Sequence, residues 1–171
     1  MKAIFKSTLL IGAAAILCGC KATPRGKWET AAMTKVKHTI TVGGKNTRNP
    51  LANTPNNAQS GQIAFSHYCA ACHGLDGQNT GVPFADRMAP PVPSLSSPQV
   101  QSYTDGQLHW IMENGLFPSG MPASKGILND SELWSIVVYL RHLPTAGSLG
   151  EPAMYSEDDP ANCPNPPVQA R

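Results

Sequence analysis

The sequence contains three neighbouring residues that could together bind a cofactor: Cys69, Cys72 and His73. Two thiols three positions apart can reach the two vinyl groups of one porphyrin, and the histidine that follows can direct its imidazole at the iron. Cys-x-x-Cys-His is the sequence signature of haem c attachment. The motif therefore predicts one haem c, attached covalently through Cys69 and Cys72, with His73 as an axial iron ligand.

Two other kinds of site can contain a Cys-x-x-Cys pair. A structural zinc site needs a second Cys/His pair at a similar spacing, and the sequence offers none. A redox-active dithiol of the thioredoxin type needs a βαβ context, whereas the flanks here indicate a helix before the motif and a glycine-rich loop after it. The histidine directly after Cys72 and an N-terminal export signal favour haem over both alternatives.

An electron-carrying haem iron needs a second axial ligand, and six residues after His73 are candidates: Met88, His109, Met112, Met121, His142 and Met154. Met121 lies in the segment 117–122, where two prolines and a glycine can hold an extended loop against the far haem face. Met88, in the proline-rich segment 87–93, is its rival. His109 and Met112 fall within a helical pattern, where a core or surface position is the better expectation. We expect Met121 to be the ligand.

The N-terminus has the features of an export signal. Lys2 and Lys6 supply the positive start, and residues 8–17 supply a short apolar run. Residues 17–20 (Leu-Cys-Gly-Cys) resemble a bacterial lipobox, which ends in the cysteine that is lipidated. We expect Cys20 to carry the lipid, with plain secretion as the alternative. Both place the protein outside the cytoplasm; lipidation would anchor it on the periplasmic face of the inner or outer membrane.

The chain divides into four segments by composition. Residues 1–19 are expected to be the signal peptide, 20–58 an extended polar and basic arm, 59–145 the folded domain and 146–171 a proline-rich tail. The chain holds 15 glycines and 16 prolines, which predicts many loops and a small core that a bulky apolar cofactor would help to complete. Residues 38–42, followed by two glycines, could form a short strand ending in a turn.

Charge is unevenly distributed around a formal net value of +2. Residues 21–48 contain seven basic residues and one acid, whereas residues 56–146 contain three basic residues and six acids. The basic arm could contact anionic lipid headgroups, a partner subunit or only solvent. Nucleic acid is not expected as a partner of an exported chain with this modest charge. Cys163 is left over in the tail, either to pair with another chain or as a dispensable thiol.

The residues from 58 to 144 resemble the class I cytochrome c family, especially the single-haem domains of bacterial respiratory proteins. The resemblance rests on a helix leading into Cys69, the Cys-x-x-Cys-His-Gly motif, a proline-containing loop, Gly120-Met121-Pro122 and a final helix from Asn129 to Arg141. It implies an all-α fold of about three to four helices around one covalent haem. It also implies that Met121 is the methionine ligand and that the first and last helices cross.

Local patterns are consistent with that crossing. Gly61, Phe65 and Cys69 recur every four residues and therefore share one helix face. A glycine there would allow close approach by the last helix, whose expected contact surface is formed by Trp134, Val137, Val138 and Tyr139.

The ends of the later helices are also marked in the sequence. Thr104-Asp105 and Asn129-Asp130 supply capping side chains, and Asn114-Gly115 and Leu143-Pro144 are stop signals. We expect a carbonyl group of residues 90–93 to accept a hydrogen bond from the second nitrogen of His73.

An iron with both axial positions filled has no open site for a substrate. The sequence therefore predicts one-electron transfer between larger partners rather than an enzyme, by a membrane-tethered protein of a respiratory chain. The haem region has few lysines, which favours a transient contact or residence in a membrane complex over a lysine-ringed docking surface. The alternatives are a peroxidase-like enzyme or gas sensor with a displaceable sixth ligand, and an anchoring subunit with a vestigial haem.

Overall fold

The structure is a computed structural model that describes residues 42–117 and 119–156. Its five α-helices are α1 (Pro55–Tyr68), α2 (Ala70–His73), α3 (Pro98–Gln101), α4 (Asp105–Asn114) and α5 (Asp130–Leu140). Two short 3-10 helices span Ala85–Arg87 and Ala153–Tyr155. These ranges contain no β-strand, only isolated bridges. The expected all-α fold of the class I cytochrome c type is confirmed, with two four-residue helices, α2 and α3, beyond the three to four expected.

Several expectations fall outside the described ranges. They concern the signal peptide, lipidation at Cys20, most of the basic arm, residues 38–41 of the expected strand, and Cys163 in the tail. Within the described ranges, no helix has both the length and the apolar character that crossing a bilayer requires.

Helix α1 begins four residues before the expected domain boundary at residue 59. Thr54 is its N-cap, with a side-chain oxygen that accepts from the backbone N–H of Asn57 at 3.3 Å, and Pro55 occupies the first turn. The preceding residues also lie on the helices. Val42 is buried, and the amide of Asn49 donates to the carbonyl oxygen of Trp134 at 3.1 Å. The described end of the arm is therefore packed against the helices, because these contacts satisfy its polar groups and cover its apolar ones.

The crossing of α1 and α5 forms the centre of the core. Gly61 faces the backbone of Ser135, and a Cβ atom at residue 61 would overlap the Ser135 carbonyl oxygen. Phe65, one turn later, is buried and lies 5.3 Å from the ring of Tyr139. All four residues of the expected α5 surface are buried. The crossing and its dependence on a small residue agree with the sequence-based prediction.

Capping residues set the ends of α4 and α5. Thr104 and Asn129 each form a capping box with the residue three positions later, Gln107 and Glu132 respectively. Helix α4 ends at Asn114, and Gly115 is its C-cap, with a φ of 72° that suits glycine. Helix α5 ends at Leu140 with Arg141 as its C-cap, so the Leu143-Pro144 stop signal lies just beyond the helix. The guanidinium of Arg141 donates to the carbonyl oxygens of Gln101 and Tyr103.

Candidate functional site

The Cys-x-x-Cys-His motif lies on the tight turn that connects α1 to α2. The backbone N–H of Cys69 completes α1 by donating to Phe65 O at 2.8 Å. The N–H groups of Cys72 and His73 both donate to Cys69 O, at 3.1 and 3.0 Å. Cys69 is half-buried, Cys72 is exposed, and both are free thiols. One turn of chain therefore holds two unbridged thiols and an imidazole, as attachment to one porphyrin requires.

His73 is buried at the base of this turn, with 9% of its surface exposed. Its ring lies 6.5 Å from that of Phe65, which extends the site to the helix crossing. Burial lowers the pKa of His73 to about 4, although the backbone carbonyl of Pro93 acts in the opposite direction. The imidazole is therefore neutral near pH 7, which is the form that ligates a metal.

The carbonyl group that acts on His73 comes from the loop in which we expected one. Residues 90–93 were the expected source, and Pro93 is the residue whose carbonyl group interacts with the imidazole. The contact falls short of a well-formed hydrogen bond, because Nδ1 of His73 is buried without a partner among the described residues. A strict hydrogen bond needs both a short distance and good alignment, so we describe the contact as electrostatic.

Met121 and Met88 lie on neighbouring loops. Met121 is half-buried against the core cluster, which Cys69 also contacts. Its carbonyl oxygen accepts from the N–H of Leu116 at 3.1 Å, and this bond closes the loop that contains Gly120. A Cβ atom at Gly120 would lie 3.3 Å from the Met88 methyl carbon. Both methionines therefore approach the same region, and the choice of Met121 stays a prediction.

The other candidate ligands have different environments. Met112 is buried in the core. His109 stacks on Trp134 at 4.1 Å, and its Nε2 is 2.8 Å from a carboxylate oxygen of Asp130. Nδ1 of the exposed His142 is 2.9 Å from Val138 O, and Met154 is half exposed near the C-terminus. The interpretation of His109 and Met112 as core or surface residues agrees with these contacts.

Asp76 is a buried acid that sequence reasoning did not single out. It is fully buried three residues after His73. Its carboxylate accepts from the Thr80 hydroxyl at 2.5 Å, from Gly147 N at 2.7 Å and from Gln78 N at 2.8 Å. Burial by itself would raise the pKa of Asp76, but these hydrogen bonds outweigh it and the pKa is lowered. The Asp-Gly pair at 76–77 was the available signal, since Asp often hydrogen-bonds its own turn.

Residues 144–156, which we call the C-terminal strap, return to the loop after His73. The N–H of Gly147 reaches Asp76, and the Gln78 amide donates to Pro144 O at 2.8 Å. Near the other end of the strap, the Tyr155 hydroxyl donates to Ala71 O at 2.8 Å, inside the Cys-x-x-Cys motif. The sequence predicted a proline-rich tail, separate from the folded domain, from residue 146. The described part of that tail instead packs on the motif, because its polar groups find buried partners there.

The donor set of this turn fits a covalent haem c. Two free thiols are available for the two thioether bonds, and a neutral imidazole is adjacent. Nδ1 of His73 is buried without a hydrogen-bond partner among the described residues, and Nε2 would be the ring atom that ligates an iron. Either Met121 or Met88 could supply the second axial sulfur.

Residues 56–140 match the family model described as cytochrome c oxidase, cbb3-type, subunit III. The matched segment runs from the second residue of α1 to the last residue of α5, and it contains Cys69, Cys72, His73 and Met121. No curated protein matches the chain.

Proposed function

Because residues 56–140 form a class I c-type cytochrome domain, which transfers electrons through a covalently bound haem c, we propose that the chain is a membrane-tethered electron relay of a bacterial respiratory chain. In this proposal Cys69 and Cys72 attach the haem, and His73 and Met121 ligate its iron. The observation that carries it is the single turn that combines two free thiols with a buried, neutral imidazole.

The haem supplies reversible one-electron chemistry, and the chain controls its surroundings. His73 is held neutral by burial. Phe65 and Tyr139 place aromatic surface beside the His73 side of the site, and apolar surroundings that exclude water favour the less charged, reduced iron. Methionine as the second ligand favours the reduced form further. With both axial positions filled, the protein would act as a carrier and not as an enzyme.

Two features support a tethered carrier with a protein partner. The lipobox-like residues 17–20 are followed by a basic stretch to Arg48 that could lie along anionic lipid. The family model that matches the domain is named for an oxidase subunit, which supports a redox partner within an oxidase complex. We therefore propose the periplasmic face of a bacterial membrane as its location.

Optical spectroscopy of the haem-loaded full chain tests the ligand assignment. We expect Met121→Ala to abolish the weak far-red band of the oxidised protein, which reports a methionine–iron bond. Met88→Ala, on the neighbouring loop, is the matched control and should keep the band. A high-spin spectrum in the unaltered protein would contradict the proposal and favour the alternative of an enzyme or sensor with an open or displaceable ligand position.

Covalent attachment and tethering have separate tests. A Cys69→Ala/Cys72→Ala double variant should lose haem staining on a denaturing gel. For the lipid, Cys20→Ser should move the protein from the membrane fraction to the soluble fraction, whereas Cys18→Ser should leave it in the membrane. Membrane retention of Cys20→Ser would contradict lipid tethering without affecting the electron-transfer assignment.

A further inference from the structure

Asn79 is bonded to both sides of the His73 environment. Its backbone N–H donates to the carbonyl oxygen of His73 at 2.8 Å. Its side-chain amide donates to the carbonyl oxygen of Val92, also at 2.8 Å. Val92 directly precedes Pro93, whose carbonyl group acts on the His73 imidazole. One residue thus connects the backbone of the histidine to the peptide that carries its electrostatic partner.

Asn79 has a backbone conformation that few residues other than glycine adopt. Its φ of 65° is the only positive value at a non-glycine residue in the described ranges. Gly77 and Gly81, two positions away on either side, also have positive φ, at 72° and 69°. Glycine would adopt this conformation without a steric penalty. Asparagine tolerates it better than most residues and adds a hydrogen-bonding side chain.

Two buried side-chain atoms of the described residues lack a hydrogen-bond partner, and they are complementary. One is Nδ1 of His73 and the other is Oδ1 of Asn79. An imidazole that ligates a metal through Nε2 carries its proton on Nδ1 and is a donor there. Oδ1 of an amide is an acceptor, and the orientation of the amide is set because Nδ2 faces the Val92 carbonyl.

We propose that Asn79 is a positioning residue for His73, which it orients by fixing the residue 92–93 peptide and by supplying Oδ1 as an acceptor for the Nδ1 proton. This inference rests on the proposed role of His73 as an axial ligand. An acceptor at Nδ1 fixes the ring orientation and makes the imidazole more basic. A more basic ligand stabilises the more positively charged, oxidised iron. Asn79 would therefore hold the reduction potential below the value that a loosely held His73 would give.

Asn79→Gly in the haem-loaded full chain is the main test, since it keeps the backbone conformation and removes only the side chain. We expect the midpoint potential to rise. The ratio of reduced to oxidised protein at the original midpoint should increase about tenfold, which is the lower end of the effects of outer-shell partners on metal sites. Solvent exchange of the His73 Nδ1 proton, followed by NMR in the reduced state, should become faster. Gln78→Ala, the neighbouring residue that contacts Pro144 instead of Val92, should change neither quantity.

A second variant removes dependence on one substitution. Asn79→Ala removes both the donor that faces Val92 O and the Oδ1 acceptor, so Nδ1 exchange should again be faster. Unchanged potential and exchange in Asn79→Gly, or exchange as slow as in the unaltered protein in Asn79→Ala, would overturn the proposal. His73→Ala tests the underlying ligand assignment separately. If His73 is not an axial ligand, this variant will keep a low-spin haem spectrum.

Discussion

Gly61 of α1 and Ser135 of α5 face each other where the two helices cross, and no Cβ atom fits between them. The crossing is one of direct backbone contact, with the Ser135 carbonyl oxygen against the Gly61 Cα. Cys69 follows two turns later on the same face of α1. The closeness of the two helices therefore helps to determine where the cofactor-binding turn begins.

Gly61→Ala should destabilise the protein by about 1–3 kcal/mol, the usual range for overpacking a tight contact. The sign is informative, because alanine in an exposed helix is more favourable than glycine by about 1 kcal/mol. Urea unfolding of the haem-loaded protein measures the change. Ser60→Ala, an exposed neighbour on α1, is the matched control and should be nearly neutral. A neutral or stabilising Gly61→Ala would show that the helices can separate at little cost.

Asp76→Asn should weaken the attachment of the strap and alter the response to acid. The lowered pKa of Asp76 means that the unfolded chain binds more protons than the folded one, so stability rises with pH. This contribution is fully present above the ordinary value of 3.8 and is lost as the pH falls through the lower folded-state value. Asp76→Asn should therefore cost about 1–3 kcal/mol at neutral pH and flatten the acid limb of a plot of stability against pH.

Thermal unfolding between pH 2 and 7 provides the measurement for Asp76. Asp86→Asn, at an exposed acid in the 3-10 helix Ala85–Arg87, serves as the control and should retain the acid limb. An unaltered acid limb in Asp76→Asn would mean that other carboxylates dominate the response.

Tyr155→Phe should loosen the strap from the Cys-x-x-Cys turn. It removes the hydrogen bond to Ala71 O, worth about 1 kcal/mol, but keeps the edge contact between the Tyr155 and Phe84 rings, 6.1 Å apart. Tyr155→Ala loses both and should have the larger effect. Limited proteolysis within residues 147–156 measures the opening. Met154→Ala, at a half-exposed neighbour, should leave cleavage unchanged; equal cleavage in all three variants would contradict a role for Tyr155.

Arg141 should be more important for its backbone contacts than for its ion pair. Its guanidinium donates to the carbonyl oxygens of Gln101 and Tyr103, at 3.0 and 2.6 Å, and pairs with Asp105 at 2.9 Å. Hydrogen bonds from a charged donor are worth about 1.5–3 kcal/mol, whereas partly exposed ion pairs are worth about 0–1 kcal/mol. Arg141→Ala should therefore destabilise the protein more than Asp105→Asn does.

Chemical denaturation of these variants and of two further ones, Arg141→Lys and Lys125→Ala, completes this comparison. Arg141→Lys should restore little, because an ammonium group cannot reach both carbonyl oxygens and the carboxylate in one planar arrangement. Lys125→Ala breaks an exposed pair with Glu113 at 3.9 Å and should be close to neutral. If Asp105→Asn costs as much as Arg141→Ala, the ion pair is the main contact.

Features that depend on neighbours along the chain were predictable. Thr104 and Asn129 cap their helices as expected, because a capping side chain reaches only three residues ahead. The Cys-x-x-Cys-His motif indicated a covalent haem c because attachment to one porphyrin requires thiols at that spacing. The contacts of the Arg141 side chain were not predictable, since they are made with residues 101–105, 36 to 40 positions away.

The sequence by itself determined the cofactor, because the two thiols and the histidine stand at a fixed local spacing. The all-α fold and the crossing of the first and last helices were implied by the resemblance to the class I cytochrome c family, and the four-residue spacing of Gly61, Phe65 and Cys69 was consistent with them. Only the tertiary structure decided that Pro93 supplies the carbonyl near His73 and that Asn79 connects the two. Only the structure showed that the strap contacts Asp76 and Ala71 and that Gly120 lies beside Met88. These contacts join segments that are far apart in the chain, and no repeating pattern in the sequence indicates them. They form because buried polar groups must find hydrogen-bond partners wherever the fold supplies them.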